Sequence, residues 1–428
     1  MILSKIDRIV LDQQEDLALL RQGNYCTREE EALIDLDSHL AQVVTGVRRS
    51  GKSTLCLQAL EHAGVKYAYM NFDDNRLTDL HADDLDLILE ALYKKYGDFS
   101  YLMLDEIQNV EGWHLFVNRM LRRGMHIVMT GSNSRLLSGE LASYLTGRHH
   151  QIELLPFSFR DFCACKGVAT EPLTTKNRGL LAGAFDDYMR TGGFPELLHE
   201  KDIKGYIDSL IDSILSQDIR KRFNIKYTDT LERLTNHLLN EAPAFLVKDK
   251  LQKLFGFSSI HTLGNYLHYL EQTYLLSYVM KYSARSRVRL RNPKYYAIDV
   301  SMMNERKDAF SGENLGMRLE TIVYLELRRR ARYARQDVYY FNNGRSECDF
   351  VVCDGNRSIS AFQVSYDISD PKTFRREIRG CIAGAEGTSC EQLYLLTYND
   401  TRDDTVTAGR RIRIMPVWEW LLEKDSAV

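Results

Sequence analysis

A chain of 428 residues, 44% hydrophobic and 27% charged, carries enough apolar material for several cores, which excludes a disordered polymer and a single small module. The formal net charge of −3 excludes polyanion binding by the whole surface, so any nucleic-acid contact must come from a local basic patch. The eight cysteines show no zinc spacing, and their one tight pair is Cys163-Ala-Cys165. They read as the reduced thiols of a cytoplasmic protein. Met1-Ile-Leu-Ser-Lys5 lacks the apolar run of a signal peptide, and no stretch of about 18 apolar residues offers a membrane span, so no membrane partner is expected.

Residues 1–40 read as a polar helical lead-in. Strands are predicted at Ala41–Thr45, Tyr67–Phe72, Tyr101–Leu104 and His126–Thr130, with an amphipathic stretch from Asp83 to Tyr96. Strands alternating with helical segments predict a parallel sheet covered on both faces. The alternation stops near residue 156, and residues 178–280 read mostly as helices. From Leu276 to Val300 the pattern becomes strand-like and basic. The remainder returns to α/β, with helices near 313–332 and 371–384 and strands near 337–341, 348–353, 359–365 and 392–397. These shifts predict a lead-in over 1–40, an α/β core with following helices over 41–200, a largely helical domain over 201–305, and a further α/β domain over 306–428.

Gly46-Val47-Arg48-Arg49-Ser50-Gly51-Lys52-Ser53 fits the G-x-x-x-x-G-K-[ST] pattern between a strand and a helix, with Thr54 following in the helix. The glycines let backbone N–H groups wrap a phosphate, and the helix start adds its positive dipole end. Lys52 is expected to reach the β- and γ-phosphates of ATP, and Ser53 to ligate Mg²⁺. Asp105 and Glu106 end an apolar strand at the sheet edge beside this loop. Asp105 is expected in the Mg²⁺ shell and Glu106 on the attacking water. Ser132 or Asn133, after the fourth strand, is placed to sense the γ-phosphate. Arg148 reads either as a plain surface arginine or as a cation on a subunit edge that acts on a neighbour's γ-phosphate, the latter implying self-association into an oligomer.

These segments resemble prokaryotic AAA-type ATPases in which a P-loop core precedes a C-terminal domain related to restriction-endonuclease folds. The resemblance is carried by Thr45–Ser53, Leu104-Asp-Glu-Ile-Gln108 with Trp113, Thr130-Gly-Ser132, Leu145-Thr-Gly-Arg148, Leu155-Pro-Phe-Ser158, Gly192-Gly-Phe-Pro-Glu196 and Met415-Pro-Val-Trp-Glu-Trp420. It implies a P-loop AAA+ core, a helical lid containing Gly192–Glu196, and an arginine-finger role for Arg148.

Val247–Gly256 and Ser258–Glu271 read as two helices joined by a tight turn, a helix-turn-helix pattern in which His261, Thr262, Asn265 and His268 are the candidate base or phosphate contacts. Lys281, Arg285, Arg287, Arg289, Arg291 and Lys294 follow with no acid among them. On a strand the alternating arginines would share one face, as a wing gripping DNA phosphates. The resemblance implies a winged-helix segment at the same place. In the last domain Glu320, Asp349, Gln363 and Ser365 stand where a PD-(D/E)xK nuclease carries a helix acid, a strand acid, a second acid and a lysine. Gln is a poorer hard-metal ligand than a carboxylate and Ser has no ammonium, so cleavage is not expected.

The leading reading is an oligomeric ATPase whose nucleotide state modulates DNA binding. The alternatives are a nucleotide-switched assembly protein with little turnover and an ATP-controlled nuclease.

Overall fold

The computed structural model describes residues 3–423 except 24, 79, 133–143, 146, 224, 226, 308 and 310–313. The chain divides into two compact units, Met1–Leu154 and Leu155–Val428.

The first unit is built on five parallel strands, β1 (Ala41–Thr45), β2 (Tyr67–Asn71), β3 (Tyr101–Asp105), β4 (His126–Gly131) and β5 (His149–Glu153), in the order β2-β3-β4-β1-β5. Alternation along each strand feeds two cores. Val43, Met70, Leu104 and Met129 enter one face with α1 (Leu3–Arg21), α3 (Leu85–Tyr96) and α4 (Trp113–Arg122). Val44, Tyr69, Met103 and Val128 enter the other with α2 (Lys52–His62). Both faces are covered, which is why these strands read as unbroken apolar runs. Each fully buried aliphatic side chain contributes about 1.5–3 kcal/mol.

The lead-in is part of this core. Ile6, Ile9 and Val10 of α1 are buried against the first face. Gln13 clamps β2 by donating to the Asn71 carbonyl at 2.9 Å and accepting from the Asn71 N–H at 2.9 Å. Strand β5 falls on His149-His-Gln-Ile-Glu153, a sequence too polar to be legible as a strand; it is an edge strand held by β1 alone.

The second unit begins with helices α5 (Phe159–Cys165), α6 (Thr175–Thr191), α7 (Ile203–Ser213), α8 (Thr228–Glu241), α9 (Lys248–Phe255) and α10 (Ile260–Gln272). A nine-stranded sheet follows, in the order β13-β14-β12-β11-β10-β9-β7-β8-β6. Its strands are β6 (Ala244–Phe245), β7 (Leu276–Lys281), β8 (Lys294–Ala297), β9 (Asp337–Asn342), β10 (Glu347–Asp354), β11 (Arg357–Ser365), β12 (Gln392–Thr397), β13 (Thr405–Thr407) and β14 (Arg410–Pro416). Strand β7 pairs antiparallel with β8 and parallel with β9, so the hairpin after α10 belongs to the same sheet as the C-terminal strands.

The stretch between β7 and β8 corrects the expected run of alternating arginines. Residues Ser286–Arg289 form one helical turn, α11, so the arginines do not line a strand face. The chain must reverse between Lys281 and Lys294, and the turn is fastened by the Arg289 guanidinium, which donates to the Ser283 carbonyl at 3.0 and 3.1 Å. Further helices of this unit are α12 (Leu315–Ala334), α13 (Pro371–Thr388) and α14 (Val417–Leu422). Ile378, Cys381 and Ala385 of α13 close one face of the sheet over Val351, Ala361 and Leu395. On α12, Tyr324 stacks on Tyr296 at 4.2 Å between ring centroids.

Candidate nucleotide site and carboxylate pocket

In the first unit, β1 runs into Gly46, where a Cβ would lie 2.2 Å from the Leu154 carbonyl oxygen, so only glycine fits. The loop closes with a Ser50 N–H to Val47 carbonyl bond of 3.2 Å and enters α2 through Gly51 at φ 91. No side chain caps α2, which leaves its first N–H groups facing the loop as donors for an anion. Lys52 is buried and its ammonium donates to the Val47 carbonyl at 3.0 Å, across the concavity a phosphate would enter.

The acids of β3 reach the same edge. The Ser53 hydroxyl donates to Asp105 Oδ1 at 2.8 Å, the Thr130 hydroxyl donates to the same oxygen, and Tyr69 donates to Oδ2 at 3.3 Å. Burial, and then the neighbouring Glu106 charge, push the Asp105 carboxyl above the usual range; the Thr130 and Ser53 bonds and the Lys52 charge oppose the shift. Glu106 sits in the left-handed region at φ 54. Its Oε2 accepts the Ser132 N–H at 3.2 Å, the Ser132 hydroxyl at 3.0 Å and the Gln108 amide. One carboxylate beside one hydroxyl suits Mg²⁺, which keeps waters and phosphate oxygens as its remaining ligands.

Lys52, Ser53, Asp105, Glu106 and Ser132 therefore meet at one sheet edge; Asn133 lies outside the described residues. Arg148 does not join them. Its carbonyl accepts the Ala41 N–H at 3.1 Å, which fixes it at the start of β1, a strand length of roughly 13 Å from the loop, and its side chain is exposed. Arg48 leans toward Asp73 at 3.6 Å, and Arg49 takes the positive-φ position, at φ 64. Arg28 was not legible as a site residue. It is buried, donates to the Ser50 carbonyl at 3.1 Å, and pairs with buried Glu30 at 3.1 Å, bracing the loop from behind. Nothing in its local sequence marks it, because its partner is 22 residues away.

In the second unit, Glu320 of α12, Asp349 of β10 and Gln363 of β11 line one pocket of about 400 Å³ with Glu347. Ser365 turns aside, and its hydroxyl donates to the Asp367 carbonyl at 3.1 Å. The ammonium in this pocket belongs to Lys294, which corrects its expected place among the phosphate-gripping cations. Lys294 of β8 is buried, with Nζ 2.7 Å from Glu320, 3.3 Å from Glu347 and 3.8 Å from Asp349. Burial works against its charge, and the carboxylates of Glu320, Asp349 and Glu347 overcome that, holding it above the ordinary lysine range. Burial and the Glu320 charge push Asp349 well up, against the pull of Lys294. Lys294 begins β8, whose four residues are all buried, and its side chain meets Glu320 of α12 and Glu347 and Asp349 of β10, a strand that is not a neighbour of β8 in the sheet.

Of the other expected cations, Arg285, Arg287 and Arg291 are exposed, Lys281 is half-buried, and Arg289 is occupied by Ser283. On α10, His261, Asn265 and His268 are exposed and Thr262 is half-buried.

Residues 38–163 match the AAA domain family. Residues 182–312 and 315–420 match two domains of unknown function, DUF8612 and DUF4143. The chain is 30% identical over 437 residues to the uncharacterized protein MJ1544 of Methanocaldococcus jannaschii, covering 98% of this chain and 97% of that protein. It is 30% identical over 373 residues to an uncharacterized protein of Haemophilus influenzae, covering 82% and 88% of the two chains. Among solved structures, AMPPCP-bound DnaA from Aquifex aeolicus is similar at 15% identity and a TM-score of 0.26, over 56% of this chain and 85% of that one. The Thermotoga maritima RuvB Holliday junction branch migration motor is similar at 16% identity and 0.29, over 56% and 81%. At these scores neither likeness bears on function.

Proposed function

The chain belongs to the same family as MJ1544 of Methanocaldococcus jannaschii and carries an AAA domain, and from that premise we propose that it binds ATP with Mg²⁺ at the Gly46–Thr54 loop and hydrolyses it. The observation that carries the reading is the convergence of Ser53 and Asp105, 2.8 Å apart, with Lys52 and Glu106 at the uncapped start of α2. Backbone N–H groups of residues 46–54 and the Lys52 ammonium hold the phosphates. Ser53 and Asp105 hold the metal, which supplies charge neutralisation on the phosphate oxygens. Glu106 orients the attacking water and accepts its proton, and Ser132 donates to the γ-phosphate. Arg148, exposed and at the start of β1, acts on the nucleotide of a neighbouring copy.

The finer reading extends to the second unit. Helices α9 and α10 with β7 and β8 serve as a winged helix, and Arg285, Arg287 and Arg291 with Lys281 bind DNA phosphates. The C-terminal strands with α12 and α13 form a restriction-endonuclease-like domain that does not cleave.

Calorimetry with Mg·ATP on the wild type and Lys52→Ala, followed by steady-state hydrolysis with and without DNA, tests the reading. Saturable heat that disappears in Lys52→Ala supports the site, and no heat in the wild type overturns it. Binding with no turnover would favour a nucleotide-switched assembly protein.

A further inference from the structure

In the second unit, Glu320, Glu347 and Asp349 reach one ammonium from a helix and a strand, while Lys294 arrives from β8 of the same sheet. A fourth wall of the pocket is Gln363. It is 7% exposed, its amide nitrogen donates to Glu377 at 2.9 Å, and its Oε1 is buried with no hydrogen-bond partner. A buried amide oxygen without a donor is costly, and it marks a place where a cation would be welcome. Carboxylates and an amide oxygen lining one pocket are the ligand types of a hard divalent ion. Yet among the described residues no group of three or more His, Cys, Asp or Glu is arranged to hold a metal ion. Lys294 Nζ stands 2.7 Å from Glu320, and the Tyr296 hydroxyl also donates to Glu320 at 2.7 Å, so this carboxylate is already engaged.

We propose that Lys294 is the resident cation among Glu320, Glu347 and Asp349, its ammonium standing in the place of a divalent metal ion and keeping such ions out. The one fixed charge offsets part of the charge of the three carboxylates whatever the supply of divalent cation, and Arg345, Arg376 and Arg379 line the same pocket. A site emptied only by losing ligands would leave its remaining acids open to solvent. Here the ammonium sits among them, and Lys294 is as buried as Asp349 and more buried than Glu320 and Glu347.

The test uses the full, nucleotide-free chain and Mn²⁺ as probe, followed by electron paramagnetic resonance. The wild type is expected to show no saturable Mn²⁺ site at this pocket. Lys294→Met, which keeps the length and removes the charge, is expected to gain one, and Lys294→Met with Asp349→Asn to lose it again. Thermal unfolding gives a second reading: Mn²⁺ should raise the melting temperature of Lys294→Met, and NaCl at matched ionic strength should not. If Lys294→Met does not fold without metal, refolding in Mn²⁺ but not in NaCl supports the proposal. If it folds in neither, Lys294→Met with Glu347→Gln relieves one carboxylate and retains Glu320, Asp349 and Gln363. A folded charge-removed variant that takes up no Mn²⁺ overturns the proposal. So does a wild-type Mn²⁺ site that disappears in Asp349→Asn, because the metal would then share the pocket with the lysine.

Discussion

Ser132 closes both of its donors, the N–H at 3.2 Å and the hydroxyl at 3.0 Å, on a single carboxylate oxygen of Glu106. The group assigned to water activation is thus aimed by the end of the adjacent strand. Glu106→Gln is expected to cut single-turnover hydrolysis by about 10²–10⁴-fold while leaving ATP affinity nearly unchanged, because only proton acceptance is removed. Ser132→Ala removes one of three bonds to that oxygen and is expected to cost less, about 10–100-fold. Equal losses in the two variants would mean that Ser132, not Glu106, limits the chemistry.

Arg28 carries a second prediction. Its guanidinium lies between the Ser50 carbonyl and Glu30, both within 3.1 Å, in a buried setting. Removing one partner of a buried ion pair leaves the other charge uncompensated, at a cost of about 3–5 kcal/mol. Arg28→Ala is therefore expected to unfold at lower urea and to bind ATP more weakly. Arg28→Ala with Glu30→Gln should recover part of the stability without recovering the affinity, since the brace behind the loop is still missing.

The nucleotide site was legible where chemistry and chain order coincide. Gly46–Ser53 and Asp105-Glu106 each announce themselves within a few residues, because a tight phosphate loop and a strand-terminal acid pair are local devices. The bracing role of Arg28 and the acidic surroundings of Lys294 are not local: Arg28 reaches the Ser50 carbonyl across 22 residues, and Lys294 reaches Glu320 across 26 and Asp349 across 55. The same holds for Gly192-Gly193. Sequence resemblance implies only a place in a lid, but Gly193 donates its N–H to buried Asp299 at 2.8 Å, and a Cβ on Gly192 would lie 1.8 Å from the same carboxylate. Polar β5 escaped because strand pattern was sought in apolar runs, while an edge strand held on one side by β1 tolerates histidines.

Asp105 ties stability to pH. Burial raises its pKa in the folded chain, so the unfolded state ionises first as pH rises. Whatever stability the neutral carboxyl contributes is fully present below its ordinary pKa of about 4 and is lost as pH climbs through the raised folded value. Asp105→Asn is thus expected to melt higher than the wild type at pH 7 without nucleotide, with the gap closing toward pH 4. It should also hydrolyse ATP far more slowly. A melting temperature lower than wild type at pH 7 would show that the Ser53, Thr130 and Tyr69 bonds outweigh burial.

Arg285, Arg287 and Arg291 stand exposed around one helical turn and are not occupied by a carbonyl as Arg289 is. If this loop grips DNA, each arginine on a phosphate displaces about one counterion, and the slope of log K against log[salt] records the number. The triple change to alanine is expected to weaken binding of an unrelated-sequence duplex and to flatten that slope by about one for each phosphate no longer neutralised. Arg289→Ala should act differently, loosening the turn at Ser283, so its weaker affinity should come with a lower melting temperature. Fluorescence anisotropy from 50 to about 200 mM salt separates the two. An unchanged slope in the triple variant would move any DNA binding away from this turn, most directly to His261, Asn265 and His268 on α10.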